Sequence, residues 1–347
     1  MKIRHFDRAV AGLFLVLFAA YIVYEVSRKP RVLVLHSYGT DYSWVTQVSE
    51  GINRILEDKP YSIRWHYMDT KRHPDEGFMR RAGQAAKDVI EQWQPTVIIT
   101  VADNAQSLVG KDYVNDPRFS IVYSGMFANP SEYGYDTATN VTGILERWPL
   151  DTLRQGIVDI FIAGKPARTG PLQIRHIGDA SETVAFLAGQ IGAFDWGTDL
   201  QVQTRQVKTF ADWQREITLA NSEADIVLFS LYHTLLREES GTDVVPPVEV
   251  MHWTQQNLQK PNVAGWGFSV EEGGMMAIGV SALEQGEEAA RMVARIIDDG
   301  KKPTEIPSTS SRQFLIYLRE KQLAKYNIKV PQIFEAFARA TDNYFSD

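Results

Sequence analysis

The 347-residue sequence contains no cysteine. This excludes disulfides, thiolate metal sites, a cysteine nucleophile and a lipid-modified N-terminal cysteine. A cysteine-free chain also avoids thiol mispairing in an oxidising compartment. Basic charge is scarce: 36 Lys and Arg stand against 43 Asp and Glu, a net charge of -7, which argues against a nucleic-acid partner. Catalytic signatures are missing too. There is no G-x-S-x-G elbow, no G-x-x-x-x-G-K phosphate loop and no H-E-x-x-H zinc motif. Gly265 and Gly267 lack the third glycine of a dinucleotide fingerprint and lie far from the first strand. His5, His36, His66, His73, His176, His233 and His252 show no ligand-like spacing, so neither a metal site nor a cofactor is expected. Nothing assembles an acid, a base and a nucleophile, and the chain does not read as an enzyme.

What is present is a globular composition, 44% apolar and 23% charged, long enough for about two domains. One long apolar run exists, Ala9–Tyr24, preceded by Lys2, Arg4 and Arg8. Positive residues ahead of an uncharged run read as a signal peptide or a membrane span. Phe18 occupies the place where a cleavage site before Tyr21 needs a small residue. Residues 1–30 are therefore expected to be an uncleaved membrane helix, anchoring the rest on the periplasmic or extracytoplasmic face of the inner membrane.

Past Pro30, short β-branched runs alternate with amphipathic stretches. Strands are expected at 31–36, 62–67, 96–101 and 120–123, with helices over 44–57, 78–93 and 104–113 between them. The rhythm repeats with strands at 172–177, 200–207, 226–230, 262–266 and 276–280, and helices at 181–194, 210–221 and 287–299. Strands apolar on both faces and separated by helices indicate doubly wound parallel sheets. Two such α/β units are expected to meet near Gly143–Pro149, and the tail 332–347 reads as helical.

In open parallel sheets a ligand sits beyond the carboxyl ends of the strands. Those ends carry Ser37 and Tyr38, Asp103 and Asn104, Ser124, Tyr232, and Trp266. Hydroxyls, an amide, a carboxylate and rings suit a small polar or amino-acid-like solute held by hydrogen bonds and stacking. Each also has a packing explanation: Ser37 and Asp103 stand where helix caps belong, and Trp44 where a core ring belongs.

Several segments resemble one family. Val34–Tyr38 with Asp41–Trp44, Met68–Arg72, Thr100–Asn104, Ser281–Gly300 with Pro303 and Ile306–Pro307, and Phe314–Pro331 are similar, in order, to ABC-transporter-type substrate-binding proteins of the type I periplasmic binding fold. The likeness is to a branch whose modules also serve as sensor input domains. Gly39 and the Gly265–Gly274 stretch depart from the pattern, so no particular ligand is implied. The resemblance implies two lobes joined by three crossovers, lobe one over 31–145 plus 281–302 and lobe two over 146–280 plus 303–331. It implies a solute bound between them, and an ABC permease or a sensor membrane protein as partner.

Overall fold

The structure, a computed structural model, describes residues 12–21, 28–166 and 168–347. Its strands sort into two sheets. The first holds β1 (Arg31–His36), β2 (Ser62–Tyr67), β3 (Val97–Val101), β4 (Ser120–Met126), β5 (Val141–Leu145) and β11 (Thr309–Ser310), in the order β11-β5-β4-β3-β1-β2. The second holds β6 (Leu172–Asp179), β7 (Leu200–Val207), β8 (Ile226–Phe229), β9 (Asn262–Ala264), β10 (Met276–Val280), β12 (Phe314–Arg319) and β13 (Tyr344–Phe345), in the order β13-β12-β10-β9-β8-β6-β7. Pairing is parallel except between β10 and β12.

Burial on both faces follows from the strand period of two. Val32 and Val34 join one apolar cluster, with Val48 and Ile52 of the helix Ser43–Leu56; Leu33 and Leu35 join another, with Ala86 and Ile90 of the helix Glu76–Trp93. The helix Ala282–Ile297 returns from the second sheet to the first and lies against Ser43–Leu56. Their backbones touch: a Cβ on Gly286 would stand 2.0 Å from the Val48 carbonyl oxygen, and one on Gly51 2.2 Å from that of Leu283. Only glycine permits that approach.

Two lobes therefore form around two sheets, and the chain passes between them three times. The last passage comes later than expected. The resemblance places residues 303–331 wholly in lobe two, yet Thr309 and Ser310 pair with Ile144 and Leu145 of the first sheet. The join expected near Gly143–Pro149 begins inside a strand, because β5 runs to Leu145 before the chain leaves the first sheet. The tail is only partly helical: after Gln332–Ala340 it ends in β13, paired with β12.

The expected membrane helix is not supported. Residues 12–21 are helical with their apolar side chains exposed, but among the described residues no helix is long and apolar enough to cross a membrane. Residues 1–11 and 22–27 of that segment lie outside the described residues.

Candidate functional site

The carboxyl ends of both sheets face one cleft. In lobe one the chain turns sharply after β3: Ala102 takes a φ of 65°, a costly value for a residue with a Cβ. The turn drives Asp103 inward, where one carboxylate oxygen accepts the Phe127 and Ala128 N–H groups at 3.0 and 2.9 Å. The other oxygen accepts the Thr183 hydroxyl of lobe two at 3.1 Å. Burial pushes the Asp103 carboxyl up to about 6, against the pull of these donors.

After β2, Asp69 also takes a positive φ, and the following turn delivers Thr70 and Lys71. Lys71 is buried between Tyr38 and Tyr42, its ammonium 4.6 and 4.3 Å from the two ring centroids, and donates to the Tyr42 hydroxyl at 3.2 Å. Desolvation lowers its pKa to about 8. At the first crossover Glu146 is buried and accepts the Trp266 indole N–H at 2.6 Å; burial raises its pKa well above the carboxylate range.

These groups line two neighbouring spaces. A narrow inner one is bounded by Tyr38, Tyr42, Trp44, Lys71, Asp103, Glu146, Thr183 and Trp266. A larger one of about 540 Å³ shares Tyr38, Lys71 and Thr183 with it, and adds Thr70, Glu76 and Asn104 from lobe one and Ser181, Glu182, Lys208 and Thr234 from lobe two. The volume lies within the usual range for small-molecule sites. The lobes also touch beside the cleft, where Ser43 donates to Glu271 at 2.8 Å and Tyr42 meets Phe268 with ring centroids 5.3 Å apart.

Of the residues expected from sequence, Tyr38, Asp103 and Trp266 converge on the inner space and Asn104 on the outer one. The other three are engaged elsewhere. The Ser37 hydroxyl donates to the Val101 carbonyl at 2.6 Å and accepts the Ala105 N–H at 2.8 Å, tying the end of β1 to the end of β3 and the helix Asp103–Leu108 that follows it. Ser124 donates to the Gln285 carbonyl at 3.0 Å, fastening β4 to the returning helix. Tyr232 is buried beneath the wall and donates to Glu272. Sequence reasoning missed Lys71, Tyr42, Glu146 and Thr183 as lining residues; Trp44, read as a core ring, is buried in the first apolar cluster and also borders the inner space. Lys71 and Tyr42 lie within segments that carried the family resemblance, which was the available signal. Glu146 had none, because its burial depends on a neighbour 120 positions away.

Residues 199–341 match the family model for ABC transporter substrate binding proteins. No curated protein matches the chain. Among solved structures, a conserved domain protein from Vibrio cholerae aligns with a TM-score of 0.69 at 14% identity, over 92% of this chain and 100% of that one. The ABC domain in complex with L-Trp from Streptococcus pneumonia aligns with a TM-score of 0.68 at 15% identity, over 89% and 98%. A chain of the TorS sensor domain–TorT complex aligns with a TM-score of 0.52 at 12% identity, over 86% and 96%. The likeness to ABC-transporter-type substrate-binding proteins with the type I periplasmic binding fold therefore stands.

Proposed function

We propose that this chain is an extracytoplasmic solute-binding protein that captures a small polar or amino-acid-like solute between its lobes for an ABC-type transporter. The observation that carries the reading is the cleft of about 540 Å³, lined from both sheets at their carboxyl ends. A solute that touches Lys71 and Asn104 on one side and Ser181, Thr183 and Thr234 on the other makes its full set of contacts only when the lobes are shut. Binding then shifts an open–closed equilibrium toward the closed form, the form a transporter partner would recognise. The neighbour solved with L-Trp supports a solute of this size and polarity. Membrane attachment through residues 1–30 is part of the proposal, and the exposed apolar side chains of residues 12–21 support it.

A thermal-shift screen of the purified chain against amino acids, short peptides, sugars and nucleobases tests the reading. A solute at about 100 times its Kd adds about 2.7 kcal/mol to stability, a rise of several degrees. Failure of every compound to raise the melting temperature would remove solute capture. A second reading, a ligand-sensing subunit signalling in trans to a partner membrane protein, draws on the likeness to a chain of the TorS–TorT complex. The genes flanking the coding sequence separate the two: a permease and an ATPase point to transport, a kinase or cyclase to sensing.

A further inference from the structure

Lys71 projects from the turn after β2 into the cleft and is only 8% exposed. An ammonium removed from water needs an anion, and acceptors for its three N–H donors, to replace its hydration. One donor is used on the Tyr42 hydroxyl. The rings of Tyr38 and Tyr42 favour the charge but supply no anionic acceptor. Among the described residues no carboxylate is ion-paired with Lys71. The acids that act on it do so from a distance, and each is already committed. Asp179 accepts from Ser181 and the Thr234 N–H, Glu146 from Trp266, and Glu272 from Tyr232. The protein thus builds a buried cation that borders an open space and leaves it without a counter-ion.

We infer that the captured solute carries an anionic group, a carboxylate or a phosphate, and seats it on Lys71 as that missing counter-ion. The inference rests on the solute-binding reading and names the class of solute. Asn104 stands beside Lys71 on the same wall: one of its amide N–H groups is spent on the Thr70 hydroxyl, itself donated to the Ser37 carbonyl, and the second can hydrogen-bond an oxygen of the group. Asp75, Glu76 and Glu182 line the same space against one further ammonium, Lys208, and this acidic excess favours a neutral or cationic remainder of the solute over a second anion.

The test is calorimetric titration of the full chain with matched probes. Each amino acid is paired with its carboxamide and its decarboxylated amine, and each of several sugars and nucleosides with its monophosphate. At least one anionic member should bind, with its uncharged or amine counterpart weaker by tenfold or more. The arm that responds distinguishes carboxylate from phosphate. Lys71→Met should abolish that binding, while Lys71→Arg retains part of it. Comparison within each pair on the unsubstituted protein decides the matter even where Lys71→Met fails to fold. The inference is overturned where a carboxamide, an amine or an unphosphorylated sugar binds as tightly as its anionic partner, or where Lys71→Met binds an anionic probe with unchanged affinity. Those results leave solute capture standing. Silence from every probe overturns the inference and solute capture together.

Discussion

The two walls of the cleft divide the work differently. Lobe one brings a charged, aromatic surface, with Lys71 between Tyr38 and Tyr42 and Asp103 below them. Lobe two meets the inner space with the Thr183 hydroxyl, Leu231 and Trp266, and two of its acids near Lys71 are already engaged: Asp179 by Ser181 and the Thr234 N–H, Glu272 by Tyr232. A wall carrying the charge can take up a solute while open to water. At the inner space a hydroxyl and apolar groups can then close over it without stripping water from further charges there, which keeps the cost of closure small, while the charged Glu182 and Lys208 of the same lobe border the outer space. Division of labour, rather than symmetry, is what the paired lobes supply.

The comparison breaks hardest at Asp103. Asp103→Ala orphans two buried N–H groups and the Thr183 hydroxyl at once, and should cost about 2–4 kcal/mol of stability in denaturant unfolding. Asp103→Asn keeps an acceptor oxygen and should cost less; an equal loss from the two variants would contradict this account of the carboxylate.

Above neutral pH, solute affinity should depend on pH through Lys71. Lys71 is faced by Tyr38, Tyr42 and His233, with Asp179, Glu146 and Glu272 at longer range. Burial pushes both tyrosines up and His233 down, while Lys71 lies at about 8. Affinity for an anionic solute should therefore fall as pH rises through about 8, by up to about 1.4 kcal/mol per unit. Calorimetry at pH 7, 8 and 9 measures the fall, and a rise in affinity over that range would be the wrong sign. In the unliganded protein Asp103 has a raised folded value. Its stabilising share is full below 3.8 and is lost as pH climbs through about 6, so Asp103→Asn should flatten that part of the stability profile.

Ser37→Ala sharpens the contrast between holding the wall and holding the solute. It leaves the buried Ala105 N–H unpartnered and should cost about 1–2 kcal/mol in stability, with affinity unchanged within a factor of two. Thr183→Val does the reverse on the opposite wall. It should weaken binding by about tenfold and shift stability by about 1 kcal/mol, because Asp103, which accepts its hydroxyl, keeps two other donors. If both variants lost affinity equally, the proposed division would not hold.

Much of the fold was legible because its signals are local. Val97–Val101 has no polar residue but Thr100, and such a run is buried wherever it lies. The β11 pairing was not legible: two residues carry no periodicity, and Thr309–Ser310 is a strand only because β5 offers an edge. The site divides in the same way. Tyr38, Asp103, Asn104 and Trp266 follow from the rule that ligands gather at strand ends. Ser37, Ser124 and Tyr232 obey that rule in sequence but are drawn into hydrogen bonds with the Val101 and Gln285 carbonyls and the Glu272 carboxylate, which only the folded chain brings near. Lys71 sits in a charged run, Lys71 and Arg72, that sequence would place in solvent. Arg72 does lie outside, bound to Asp69, while Lys71 turns in.

The most direct measurement is a crystal structure of the full chain with its tightest-binding solute. The account predicts electron density for that solute between the two sheets, with an anionic oxygen within hydrogen-bond distance of the Lys71 ammonium and the Thr183 side chain closed over it. A solute bound on an outer face of either lobe, or one in the cleft that leaves Lys71 without an anion, would contradict it.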